Sequence, residues 1–149
     1  MPTLIEATDA VCSTINVAWL ANAPALNGGT APEVEWPNVQ REGPPLYDGN
    51  VAWAKLIVDH DFSDQATLGG VGERVFERAG SFAFQVFVPA GKRGLDQAGR
   101  LAMVALNAFE GVTSPGGVRF YRVKPKTVGQ RDAWYQFNVE GVFEYDVVK

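Results

Sequence analysis

The feature that most constrains the fold is a period of two among the apolar residues of positions 81–88. Phe82, Phe84, Val86 and Val88 line one face of this run, and Ala83, Gln85 and Phe87 line the other. Successive strand side chains point to opposite faces, so the run is a strand with one uniformly apolar side. Such a strand needs neighbours to pair with and an apolar layer to cover it.

Residues 51–62 form a second strand. Its even members, Ala52, Ala54, Leu56, Val58, His60 and Phe62, make the more apolar face, expected to look into the core. Residues 73–78 read as another strand, with Ala79-Gly80 as a break before the run at 81–88. Residues 118–123 and 134–147 are strands too, the last bent or bulged at Gly141. The short strand 33–36 is stopped by Pro37. Residues 124–132 read as a polar connection.

Two segments carry a helical period instead. Thr3 and Glu6 form a capping box, and Leu4, Ala7, Val11, Ile15, Ala18 and Trp19 recur at helical spacing. The helix spans 4–22, because Pro24 disfavours helical geometry at the residue before it. A second helix at 95–109 has Leu95, Ala98, Leu101, Ala102, Ala105 and Phe109 as its inner stripe, with Gly111 at the C-terminal cap position. Between these elements lie two long loops, 37–50 and 63–72, rich in glycine or proline and expected to lack structure of their own. The fold class that follows is α+β: a mostly antiparallel sheet with two main helices packed on it, in a single domain, 1–149. Phe84 and Phe137 are expected core aromatics.

The 149 residues carry a net charge of −4, unevenly spread. Residues 1–72 hold nine acids against two bases, and residues 73–149 hold eight acids against eleven bases. Overall acidity argues against a dedicated nucleic-acid binder, which needs a basic face. The polarity suits a chain whose two halves meet neighbours of opposite sign. No apolar run is long enough for a membrane span, and the first residues lack the basic and apolar regions of a secretory signal. Cys12 is the only cysteine, so no internal disulfide can form. The chain is expected to be made in the cytoplasm.

Candidate chemistry is sparse. His60 is the only histidine. Asp59 and Asp61 point to the opposite strand face, and one histidine cannot build a multi-histidine metal site. A partly buried, hydrogen-bonded strand histidine is the expectation. Gly69-Gly70-Val71-Gly72 fails the dinucleotide fingerprint, because no glycine stands at the sixth place and no helix opens there. Gly91-Lys92-Arg93-Gly94 precedes the second helix and could hold an anion, but it is not a nucleotide-hydrolysing P-loop. Cys12 sits one residue past the inner stripe of the first helix, with only His60 to serve as a base. Aromatics on strands (Phe82, Phe84, Tyr135, Phe137, Phe143, Tyr145) with Arg119, Arg122, Lys124, Lys126 and Arg131 nearby sketch a single-strand stacking sheet. Phenylalanine-rich strands are nevertheless ordinary core. The sequence therefore assigns no catalytic residue, no metal and no cofactor, and the chain reads as a non-enzyme.

One ordered series of segments resembles a known family. It runs from Glu35-Trp36-Pro37-Asn38 through a proline-rich loop to Trp53-Ala54-Lys55 and Leu68-Gly69. Then come Gly80-Ser81-Phe82, Val86-Phe87-Val88-Pro89-Ala90-Gly91 and a helix ending near Phe109. Tyr135-Gln136-Phe137-Asn138-Val139 with Phe143 and Tyr145 closes it. Over residues 33–149 this order resembles the phage tail terminator (tail-completion) family. The resemblance implies a tail-terminator-like fold with no catalytic residues. It also implies a ring, commonly of six subunits, that caps the growing tail tube, stops its polymerisation and offers a surface to the neck of the head. The implied partners are copies of the chain, the tail tube protein and a neck or head-completion protein, with no specific nucleic acid and no membrane. The implied location is the virion tail, and the host cytoplasm during assembly. Candidate interface residues are Arg41, Tyr47, Trp53, Arg78, Arg119 and Arg122. Competing readings are a phage neck or head-completion protein and a small-molecule or single-strand nucleic-acid binding module.

Overall fold

In a computed structural model of the chain, the described residues are 2–37, 39–40, 42–91 and 94–149. The order of elements is α1 (Leu4–Asn22), β1 (Glu33–Glu35), β2 (Trp53–Gln65), β3 (Val75–Pro89), α2 (Gly94–Phe109), β4 (Arg119–Arg131) and β5 (Trp134–Val148). The strands form one five-stranded sheet in the order β1-β2-β3-β5-β4. β1 runs parallel to β2, and every other pairing is antiparallel. Both helices pack on one face of this sheet, so the fold is α+β.

α1 starts where the capping box places it. The Glu6 amide donates to Thr3 Oγ1 at 3.2 Å, and the Thr3 amide donates to Glu6 Oε2 at 2.7 Å. Ala7, Val11, Ile15 and Trp19 are buried. Leu4, expected in the inner stripe, is exposed together with its neighbours Thr3, Ile5 and Glu6, because the first turn projects past the packed layer. In α2 the inner stripe is Ala98, Leu101, Ala102, Ala105 and Phe109. Leu95, also expected there, faces solvent. The inward place is taken by Gly94, against the Tyr135 ring. Gly111 has φ +70°, as a C-terminal cap glycine does.

The core lies between the helices and β2, β3, β5 and β4. Trp19 meets Phe84 edge-on at 4.9 Å, and its indole N–H donates to the Pro32 carbonyl at 2.8 Å. Phe109 packs against Phe82 at 4.3 Å and Phe120 at 5.1 Å.

Four strand expectations need correction. β3 is continuous through Ala79-Gly80, since its ladder to β5 holds register from Val75 to Pro89. The polar stretch after residue 123 is strand, because a ladder is built by backbone groups and does not require apolar side chains. β2 extends to Gln65, past the predicted end at 62. The irregularity expected at Gly141 sits on the opposite strand. Tyr121 pairs with Val142 and Lys124 with Glu140, so Arg122 and Val123 together oppose Gly141. Arg122 takes φ 52° there. Loop 37–50, expected to be structureless, contains a short 3-10 turn, Leu46–Asp48.

Candidate assembly surface

The helices leave the second face of the sheet bare. That face carries Ile57, Asp59, Ser81, Ala83, Glu140 and Val142, which alternate with the core residues along their strands. Two adjoining depressions of about 580 and 560 Å3 cross it and share Arg122 and Val142. Their floor is built of small residues, Ala79, Ser81, Ala83 and Gly141. Gly141 has no room for a side chain, because an added Cβ would lie 2.6 Å from the Phe82 ring.

Two bulges shape the rims. In β2 the register shifts between His60 and Phe62, leaving Asp61 unmatched. A slip of one residue moves a side chain to the other face. Phe62, expected in the core, is therefore carried to the bare face and is 53% exposed. Across the sheet, Tyr121 stands beside the Arg122 bulge and is 42% exposed. Each outer strand of this region thus presents one aromatic ring.

The charge imbalance of the sequence becomes spatial here. The second half of β2 carries Asp59, Asp61 and Asp64, all exposed. β4 carries Arg119, Arg122, Lys124, Lys126 and Arg131 and no acid. Arg119 forks onto Asp146 with two hydrogen bonds of 3.2 Å, which raise its pKa above the usual arginine value. Lys126 reaches Glu140 at 3.9 Å. Among the described residues Asp59, Asp61, Asp64, Arg122, Lys124 and Arg131 form no ion pair.

The candidate residues from the sequence fall in different places. Arg119 and Arg122 lie on β4, at the rim of the bare face. Arg78 pairs with Tyr145, next to the Arg119–Glu144 pair, so its side chain points to the opposite face, and its Nε donates to Ser63 Oγ at 3.3 Å. Tyr47 is exposed on the Leu46–Asp48 turn. Trp53 is only 7% exposed, stacked on Phe87 at 4.2 Å with Trp134 edge-on at 6.3 Å, and has little surface left to offer. Arg41 lies outside the described residues, as do Asn38 of the resembling series and Lys92 and Arg93 of the candidate anion loop. The sequence reading missed Phe62, Tyr121 and the acid row of β2. Only the acid row left a trace, as the deficit of bases in the first half.

The β2–β3 hairpin ends in residues 66–74. Thr67 Oγ1 accepts from the Val75 amide at 2.9 Å, and the Glu73 amide donates to the Gly70 carbonyl at 3.0 Å. Leu68 is 96% exposed and Val71 88% exposed at this tip.

The remaining reactive side chains are placed as structural groups. His60 hydrogen-bonds to Thr8 Oγ1 at 2.9 Å, as expected, and meets the edge of Phe143 at 5.4 Å, but it is exposed rather than partly buried. Among the described residues no group of three His, Cys, Asp or Glu side chains is placed to hold a metal ion. No helix among them is long and apolar enough to cross a membrane. Burial, helped by Asp9, pushes the Cys12 thiol up to about 11. The nucleophile is the thiolate, so at pH 7 only about one molecule in 10,000 is reactive. Alkylation of native protein by iodoacetamide is expected to rise with pH toward a midpoint near 11. The unfolded chain should titrate near about 8.5. A native midpoint at the unfolded value would show that Cys12 is freely solvated.

No family model and no curated protein matches the sequence. Solved structures do match. One chain, designated only by a sequence identifier, superposes with a TM-score of 0.60 at 18% identity, covering 91% of this chain and 93% of that one. A chain from the virion of a native gene transfer agent particle gives a TM-score of 0.48 at 22% identity, covering 95% of this chain and 94% of that one. At 18% identity the first likeness is one of fold.

Proposed function

We propose that this chain is a structural protein of a phage-like tail. A ring of copies caps the tail tube, stops its polymerisation and offers a surface to the neck. The observation that carries this reading is the hairpin tip. From Asp59 to the end of β2 every residue is exposed, and the tip beyond ends in two large apolar side chains with almost no contact in the monomer. Contact with another molecule would bury both side chains and supply apolar area at the tip. The ordered series of segments described above supports the assignment to a tail end.

The test is to polymerise the cognate tail tube protein with and without this chain and to measure tube lengths by electron microscopy. Short tubes with a ring density at one end are expected. Tubes of unchanged length and bare ends would reject the reading. Within it, the double change Leu68→Ser, Val71→Ser should leave the monomer's stability within about 0.5 kcal/mol of wild type. Capping affinity should fall by about tenfold or more, since truncating an interface hot spot costs about 2 kcal/mol or more and about 1.4 kcal/mol is tenfold. Undiminished capping would move the tube contact elsewhere.

A further inference from the structure

We infer that copies of this chain associate head to tail along the sheet, the acidic border of β2 in one copy facing the basic border of β4 in the next. This deepens the ring reading and rests on it for what the assembly caps.

β2 and β4 are the long border strands. β1 covers β2 only over Trp53–Lys55, so among the described residues the outer side of β2 beyond Lys55 has no strand neighbour. One border is acidic and the other basic, and among the described residues most of these charges lack an ion-pair partner. The ladder also sets their heights. Followed across β3 and β5, Ile57 is level with Lys124, Asp59 with Tyr121, and Phe62 with Arg119. A copy displaced sideways in the sheet plane, with no shift along the strands, thus brings Asp59 within one residue of the height of Arg122 and Asp61 within one residue of that of Arg119, while Asp64 falls beyond the start of β4. Lower down, β1 is the border, and Glu35 beside Lys55 comes level with Lys126. The antiparallel order means that β4 of the next copy runs antiparallel to β2.

The contact is one of side chains more than of a continuous ladder. Pro125 lacks an amide hydrogen, and bulges interrupt β4 at Tyr121/Lys124 and Thr127/Gly129. Such features blunt indiscriminate backbone pairing. Charge then selects the partner border, and the exposed rings of Phe62 and Tyr121, one on each border, supply apolar area beside it. Two different surfaces meet, so the contact is heterologous and generates a ring or an open filament.

The experiment uses two triple variants of the full chain. One reverses the acid row (Asp59→Lys, Asp61→Lys, Asp64→Lys), and the other reverses the basic row (Arg122→Glu, Lys124→Glu, Lys126→Glu). Wild type should self-associate in sedimentation at low salt and dissociate as salt rises. Each variant alone should associate at least roughly tenfold more weakly, and their equimolar mixture should recover association because unlike borders again meet. Wild type that stays monomeric at every concentration would overturn the inference. So would variants that associate as well as wild type, or a mixture no better than its parts. If a reversed variant melts early, the milder set Asp59→Asn, Asp61→Asn, Asp64→Asn should still flatten the salt dependence, and an unchanged salt slope would count against the contact. Tube capping that survives in both variants would leave the tail reading intact and remove this interface. Association without capping would do the reverse.

Discussion

Phe84→Ala should lower the folding free energy by about 3–5 kcal/mol, the range for emptying a buried phenylalanine site. Phe84 is fully buried in β3, the middle strand of the sheet. Its cross-strand partners are Leu56 and Val139, both buried, and Trp19 presses on it edge-on from α1. Neighbours held on three sides by ladders and a helix cannot collapse into the space left by the ring, so the cavity term is kept in full. The edge-to-face pair with Trp19 is lost as well. For a domain of this size the loss should appear as a fall of roughly 6–20 °C in Tm. Phe137 makes the comparison informative. It was an equal candidate by strand pattern, but it is only half-buried, beside Thr127 on the polar arm of β4. Its replacement by alanine should be clearly milder. Denaturant titration of both variants checks this, and equal losses would contradict the difference in burial.

What was legible in the sequence was what depends on neighbours in the chain. The capping box of Thr3 and Glu6 and the alternation at Phe82, Phe84, Val86 and Val88 are local patterns, and α1 and the core of β3 follow them. What was illegible depends on a partner strand. The bulge at Asp61 is fixed by how β2 pairs with β3, and no periodicity within 51–62 reveals that Phe62 has changed faces. Trp53, on the less apolar face of its strand, is buried by Phe87 and Trp134 from distant positions. The arm of β4 beyond residue 123 is polar and exposed, and only β5 makes it a strand. The proposed assembly surface is built from these illegible parts: a bulge, a polar arm and two borders whose opposite charges were visible only as a difference between halves.

Gly80→Ala discriminates most sharply between a break in β3 and a continuous strand. If Ala79-Gly80 were a mobile break, alanine would restrict the unfolded chain and stabilise the protein by about 0.4–1 kcal/mol. The structure reverses the sign. A Cβ at Gly80 would run into the Asp59 carbonyl oxygen and the Phe143 ring, whose Cε1 would lie 2.7 Å away. The carbonyl is backbone of the paired strand and cannot move without disturbing the β2–β3 ladder next to its bulge. Phe143 is fully buried, with His60 edge-on and Tyr145 stacked at 6.5 Å, so its ring cannot swing aside. Overpacking of this kind costs about 1–3 kcal/mol where neighbours can shift. With rigid neighbours on both sides the loss should reach about 3 kcal/mol or more. Gly99→Ala is the control: it lies within α2 with nothing within 4 Å of an added Cβ. It should stabilise by about 0.5–1 kcal/mol through helix propensity. Thermal unfolding that moves the two variants in opposite directions would show that Gly80 lies in a continuous strand with no room for a side chain. Stabilisation by both would restore the break and separate the hairpin arm from the sheet it is built on.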